Sequence, residues 1–208
     1  MRIYFARHGE SYANTLREMS ARGLKHPLTP LGRQQAHALA ERLLSRSISR
    51  IYSSPILRAI ETSVLIANDL GVDYEVCDAL REYDVGVLEG QRGSEAWHKW
   101  QVLFDAWTVD HNYEVKLEEG ESFDDIRRRF VPFVNELVRQ PADDAMSVLC
   151  VGHGGLYWMM LPEVLANMST EDIRRLGGFA NTATVVAEYR DGQLVCVEWN
   201  DEPYDRVG

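Results

Sequence analysis

The strongest constraint on this chain's fold is a motif that occurs twice: a continuous apolar run ending abruptly in histidine and glycine. Ile3-Tyr4-Phe5-Ala6 leads into Arg7-His8-Gly9-Glu10, and Val148-Leu149-Cys150-Val151-Gly152 leads into His153-Gly154-Gly155. Short unbroken apolar runs are the signature of parallel strands buried on both faces, and open α/β sheets bind ligands outside the carboxyl ends of such strands. Both histidines are therefore placed where α/β proteins do chemistry. By itself the first tetrapeptide is compatible with anion binding, metal binding or general-base work. Gly9 would let the backbone bend and a ligand approach closely.

Further strand-like runs lie at Arg50 to Ser53, Tyr74 to Cys77, Thr184 to Tyr189 and Leu194 to Trp199, with helical patterns between most of them. Thr29 is a natural N-cap with Pro30 at the first helical position, followed by Ala36, Leu39, Ala40, Leu43 and Leu44 at helical spacing. A second helix is predicted from about Pro55 to Leu70, stopped by Gly71. A third is predicted from about Ser122 to Arg139, with Ser122 and Asp125 as a capping pair and Pro132 predicting a kink or a division into two shorter helices. Asp191-Gly192 reads as a hairpin turn. The fold expected is a three-layer α/β/α sandwich around a mixed, mostly parallel sheet of about six strands.

The whole chain, residues 1–208, reads as one domain with a helical cap inserted at about 91–120. In that segment Trp97, Trp100, Phe104 and Trp107 share one helical face. The simpler expectation is that these rings glue the cap to the core; the sharper one is that some line a substrate pocket. The tail from Asn200 to Gly208 is polar and expected to be peripheral.

Composition narrows the classes. A hydrophobic fraction of 45% with 26% charged residues is that of an ordinary globular protein. No apolar run approaches a membrane span and the N-terminus lacks a signal-peptide pattern, so the expected setting is cytoplasmic, without membrane partners. A net charge of −10 opposes nucleic-acid binding. Cys77, Cys150 and Cys196 sit in apolar runs and are expected to be small buried hydrophobes rather than catalytic thiols. A homodimer through a sheet edge or the aromatic stripe is compatible with the sequence.

Two further elements join the histidines. Ser53-Ser54-Pro55-Ile56-Leu57-Arg58 ends a strand and opens a helix, placing the planar donor fork of Arg58 near the strand ends, where it suits phosphate oxygens. Leu80-Arg81-Glu82-Tyr83-Asp84-Val85-Gly86 places a carboxylate in the loop after the third strand, where burial or charge can tune it for proton transfer. The glycines after His153 would free backbone N–H groups for an anion. A zinc site at His8 and His153 is disfavoured by the adjoining arginines and by the lack of ligand-spaced partners. His26, His37, His98 and His111 are expected at the surface or in loops, and Glu10 is expected to support its loop.

Taken in order, Arg7-His8-Gly9-Glu10-Ser11 with Asn14, Leu28-Thr29 with Gly32, Ser53-Ser54-Pro55 with Arg58-Ala59 and Glu61-Thr62, Glu82 with Gly86 and Glu89-Gly90, Gly120-Glu121-Ser122, and Gly152-His153-Gly154-Gly155 resemble the histidine phosphatase superfamily, in its phosphoglycerate mutase-like branch. The resemblance spans nearly the whole chain. It implies that His8 is the nucleophile, that Arg7, Arg58 and His153 hold the phosphoryl oxygens, that Glu82 is the proton donor, and that Asn14 and the Gly154 amide assist in binding. The other nitrogen of a nucleophilic His8 should donate to a backbone carbonyl. Leu88 stands where the family commonly has tryptophan, a departure that bears on pocket shape.

The branch contains phosphatases and mutases, which differ in what accepts the phosphoryl group. Between Gln91 and Gly120 only Arg92, Lys99 and Lys116 face six acids and five aromatics. That is a poor setting for a second phosphate and a carboxylate. A phosphatase acting on a small phosphoester with an apolar portion is expected, with no cofactor required; a mutase would bring 2,3-bisphosphoglycerate. A noncatalytic phosphoester-binding module is disfavoured because the whole core set is present.

Overall fold

The protein was analysed as a computed structural model that describes residues 1–139 and 147–204. A single sheet has strand order β3-β2-β4-β1-β5-β6-β7. Its strands are β1 (Arg2–Arg7), β2 (Ile48–Ser53), β3 (Tyr74–Val76), β4 (Ser147–Gly152), β5 (Thr184–Arg190), β6 (Gln193–Trp199) and β7 (Glu202–Pro203). The half comprising β3, β2, β4 and β1 is parallel, and β5, β6 and β7 continue it in antiparallel sense.

Alternation along β1 assigns its side chains to two cores. Ile3 and Phe5 join Phe130, Leu137, Leu156 and Ile173, whereas Tyr4 and Ala6 join Leu39, Leu43, Ala59 and Ile66. Helices α2 (Pro30–Leu43) and α3 (Leu57–Leu70) therefore cover one face, while α5 (Phe123–Arg139), α6 (Gly154–Met160) and α7 (Thr170–Leu176) cover the other. This is the expected three-layer sandwich. Two shorter tasks fall to α1 (Tyr12–Leu16), which follows the first histidine, and α4 (Ser94–Thr108), which lies within the segment assigned to a cap.

Local chemistry explains the boundaries. The Thr29 hydroxyl accepts the Gly32 N–H at 3.0 Å, and Pro30 opens α2. Gly71 ends α3 in a left-handed conformation at φ 67°. Ser122 and Asp125 bond reciprocally at 3.0 and 3.1 Å. The β5–β6 turn has Asp191 at φ 49° and Gly192 at φ 82°, the pairing that a two-residue hairpin requires.

Three expectations are corrected. Residues Phe123–Arg139 form one helix across Pro132 rather than two. Pro132 and Arg128 are both exposed, so the carbonyl freed by the missing donor lies on the solvent side, where helices tolerate outward tilt. The sheet has seven strands because the tail contributes β7 and buries Tyr204 to 8% exposure; a two-residue strand ending in proline leaves no periodic signal. Residues 205–208 of that tail lie outside those described. Among the cysteines, Cys150 and Cys196 are buried but Cys77 is only half-buried. No described helix is long and apolar enough to cross a membrane.

Candidate active site

The parallel half of the sheet delivers one polar group from the end of each of its strands. Because Arg7 is in register with Gly152, His8 and His153 leave adjacent strands at the same level, with ring centroids 5.1 Å apart. Ser53 is in register with Val151, so the chain leaving β2 brings Arg58 alongside in the first turn of α3. Glu82 arrives on the loop that follows β3. Arg7, His8, Asn14, Arg58, Glu82, Gly154 and Gly155 line one cavity of about 520 Å³; His153 is fully buried behind them.

His8 Nδ1 lies 2.6 Å from the Gly9 carbonyl, and Arg58 Nε donates to His8 Nε2 at 2.9 Å. An arginine can only donate, so Nε2 carries the lone pair and Nδ1 the proton. This is the tautomer expected of a nucleophile. The imidazolium form is disfavoured first by burial and then by the Arg58 and Arg7 charges, which hold the ring well below the ordinary histidine range.

His153 Nδ1 accepts from Arg58 Nη2 at 3.2 Å, so its Nε2–H points to the Ser54 hydroxyl at 2.7 Å. Burial and the same arginine keep His153 neutral as well. Burial in turn lowers Arg58 to about 10, which leaves it charged at neutral pH. Arg58 Nη2 also donates to the Ser20 carbonyl at 2.8 Å. Arg7 is bonded to the Phe179 carbonyl through Nη1, while its buried Nε has no partner among the described residues. Asn14 Oδ1 is claimed by the Ser11 N–H and hydroxyl at 3.0 and 3.1 Å, which leaves its amino group for a ligand.

One N–H of the α6 terminus, where an anion was expected, is already committed: Gly155 N–H donates to Glu82 Oε2 at 3.2 Å. Tyr83 N–H donates to the other oxygen at 3.2 Å. Burial raises the Glu82 carboxyl above its ordinary range, and Arg58 and these N–H groups oppose the rise. A Cβ on Gly155 would lie 2.7 Å from Tyr83 Cε1 and 2.9 Å from Glu82 Oε1. Gly155→Ala is therefore expected to push Glu82 and the Tyr83 ring aside, lowering kcat about 100-fold and also lowering the melting temperature, with a fall in kcat far larger than the small unfolded fraction accounts for as the check.

Gly9 is also reassigned. Its missing side chain makes room for the Gly32 carbonyl, 2.4 Å from where a Cβ would sit, rather than for a ligand. A Cβ on Gly32 would in turn meet the Glu10 carbonyl at 2.0 Å. Gly32→Ala is expected to destabilise the protein by about 1 to 3 kcal/mol in denaturant unfolding and to loosen the loop that carries His8. Glu10 supports that loop by accepting the Thr29 hydroxyl at 2.7 Å.

Several supports of the site carry no local mark of their role in the sequence. Thr62 Oγ1 accepts the Gly9 N–H at 3.1 Å and donates to the Arg58 carbonyl at 2.7 Å, tying the two motifs together. Asn181 Nδ2 donates to the His8 carbonyl at 3.0 Å. Nothing in the local sequence marks Asn181. Trp158 was legible in principle, since it follows Gly154 by one helical turn and so shares its face.

Trp97, Trp100 and Phe104 line the cavity with Trp158 and Phe179, whereas Trp107 does not. Phe104 lies 4.6 Å from Trp158 and 5.0 Å from Trp100 between centroids. The stripe is therefore divided: Trp107, 1% exposed, glues α4 to the core, and the other three rings form a wall. Leu88 is buried in the core and is not part of the lining. His26 is bonded to Glu18 at 2.7 Å and His37 to Asp69 at 2.5 Å, both away from the clamp. No grouping of three or more His, Cys, Asp or Glu among the described residues could hold a metal ion.

The family model described as histidine phosphatase superfamily (branch 1) matches residues 3–202. A 6-phosphofructo-2-kinase/fructose-2,6-bisphosphatase of Gallus gallus is 35% identical over 171 residues, 81% of this chain and 34% of the relative. The chain thus spans about a third of that relative's length. The "probable phosphoglycerate mutase GpmB" of Yersinia pestis is 29% identical over 205 residues, 96% of this chain and 90% of its own. Among solved structures, a mycobacterial glucosyl-3-phosphoglycerate phosphatase complexed with VO3 superposes with a TM-score of 0.82 at 29% identity, covering 96% of this chain and 98% of the other.

Proposed function

Since the chain belongs to the histidine phosphatase superfamily, branch 1, we propose that it hydrolyses small phosphomonoesters through a phosphohistidine on His8, and that the ester it prefers has an apolar portion. The observation that carries this reading is the division of the cavity into a polar clamp and an aromatic wall. Its lining contains two cations, Arg7 and Arg58, both at the clamp. Arg92 is paired with Glu18, Lys99 with Glu95, and Lys116 with Asp125. A substrate with a second phosphate or a carboxylate would find aromatic rings along this wall; Arg17 lies in the adjoining pocket that shares Arg7, Asn14, Glu18 and Trp97.

In the first step the entering phosphate offers Arg58 a stronger acceptor than His8, freeing the Nε2 lone pair to attack phosphorus. Charge on the equatorial oxygens is met by Arg58, which turns from His8 to the phosphate, and by Arg7 Nε, the Asn14 amino group and the Gly154 N–H, which are in place before the ester arrives. The dianion also favours protonation of His153, turning it from acceptor to donor. Glu82 gives its proton to the departing alkoxide oxygen, and the resulting carboxylate takes a proton from the water that cleaves the phosphohistidine. Inorganic phosphate and the free alcohol are the products. No metal or organic cofactor is needed, because side chains supply the positive charge. A cytoplasmic setting belongs to the same reading, supported by three unpaired cysteines.

Phosphoglycerate mutase is the second reading, favoured by the Yersinia pestis relative. Phosphate release measured over aryl phosphates, sugar phosphates and phosphoglycerates separates the two. Highest kcat/KM on esters with an apolar leaving group is expected; interconversion of phosphoglycerates without net phosphate release would overturn the proposal.

A further inference from the structure

Outside the clamp, the cavity wall contains one buried phenol. Tyr83 lines the cavity yet is only 3% exposed. Trp100 Nε1 donates to its oxygen. An indole nitrogen has only a donor to give, so this bond uses a lone pair of the phenol and leaves the Tyr83 proton uncommitted. No acceptor for that proton exists among the described residues. Because Tyr83 borders the cavity, a ligand held there is placed to accept that proton.

The donor is also rigid. Trp107 packs edge-on against the Tyr83 ring, 5.7 Å away at 74°, and Trp100 is itself stacked on Phe104. Burial and the neighbouring Glu82 carboxylate keep the phenol protonated. The group it reads is uncharged, because the cations of the lining, Arg7 and Arg58, both belong to the clamp, and the wall beside Tyr83 is built from Trp97, Trp100, Phe104 and Trp158.

We propose that the Tyr83 hydroxyl, oriented by Trp100, determines specificity by donating to a neutral oxygen on the leaving group. The preferred substrates are then phosphate esters of aromatic or apolar alcohols that carry a carbonyl, ether or hydroxyl oxygen, rather than plain hydrocarbon esters. The inference rests on the phosphatase reading above and adds the chemistry of the leaving group.

The test compares wild type, Tyr83→Phe and Trp100→Phe on ortho-, meta- and para-acetylphenyl phosphate and on the matching ethylphenyl phosphates, which replace the carbonyl by a methylene. Leaving-group reactivity cancels when each variant is compared with wild type on one substrate. For at least one acetyl isomer, Tyr83→Phe is expected to lower kcat/KM about tenfold or more, with little change on its ethyl partner. Trp100→Phe keeps an aromatic ring but removes the N–H, and is expected to shrink the same preference. Equal losses on both members of every pair, or no loss on any, overturn the inference alone. No phosphate release by wild type from any ester overturns it together with the phosphatase reading.

Discussion

Replacing His8 by alanine is expected to slow hydrolysis of every phosphomonoester by about 10⁴-fold or more, because the variant loses the atom that accepts the phosphoryl group. The remaining clamp would still bind phosphate, so affinity for inorganic phosphate is expected to fall far less than turnover. In the wild type, quenching during turnover should trap an acid-labile, base-stable phosphoryl group on His8. The geometry behind this is specific: the Gly9 carbonyl accepts a hydrogen bond from Nδ1–H and Arg58 faces Nε2, leaving one nitrogen nucleophilic. Burial and two guanidinium charges hold His8 well below its usual range. The kcat/KM profile should accordingly show no acid limb near the ordinary histidine value of about 6.5. Unchanged turnover in the alanine variant would remove the proposed mechanism.

The second large effect belongs to Glu82. Glu82→Gln is expected to lower kcat/KM on alkyl phosphates by about 10² to 10⁴-fold, the usual contribution of a positioned acid. The loss should be much smaller on para-nitrophenyl phosphate, whose leaving group needs little protonation. The sign of the pH dependence follows from the raised Glu82 carboxyl. The acid form performs the first step, so kcat/KM falls as pH rises through this elevated value, and the variant should lose that basic limb. Hydrolysis of the intermediate also slows, so phosphohistidine should accumulate with para-nitrophenyl phosphate, whose transfer step is largely spared. A basic limb that survives in Glu82→Gln would assign the proton transfer elsewhere.

Much of the site was legible because strand ends mark themselves. The apolar runs before Arg7-His8 and Gly152-His153 needed no partner to be recognised as buried strands, and Ser53-Ser54-Pro55 announced the turn that positions Arg58. The roles of Thr62, Asn181 and Gly155 were hidden for a physical reason. Each acts on a residue distant in sequence: Thr62 on Gly9, Asn181 on His8, and Gly155 on Glu82 and Tyr83. Pro132 left open whether its helix bends or divides, because its local cost depends on which side of the helix faces water, and that is decided by packing.

The aromatic segment shows the same division. Helical spacing placed Trp97, Trp100, Phe104 and Trp107 on one face, but a face wide enough to hold four rings can meet both the core and a cavity. Only the position of α4 over the strand ends separates Trp107, edge-on against Tyr83, from the rings that line the cavity.

The sequence alone determined the α/β class and the paired histidines at strand ends, because periodicity and residue chemistry are local properties, and the order of its motifs, by resemblance, gave the expected phosphate-handling set. The tertiary structure alone decided that Arg58 bridges the two histidines, that the Gly155 N–H at the α6 terminus binds Glu82, and that Trp100 donates to the buried Tyr83 hydroxyl at the cavity wall. Those are matters of distance and burial, which depend on how the sheet brings remote segments together.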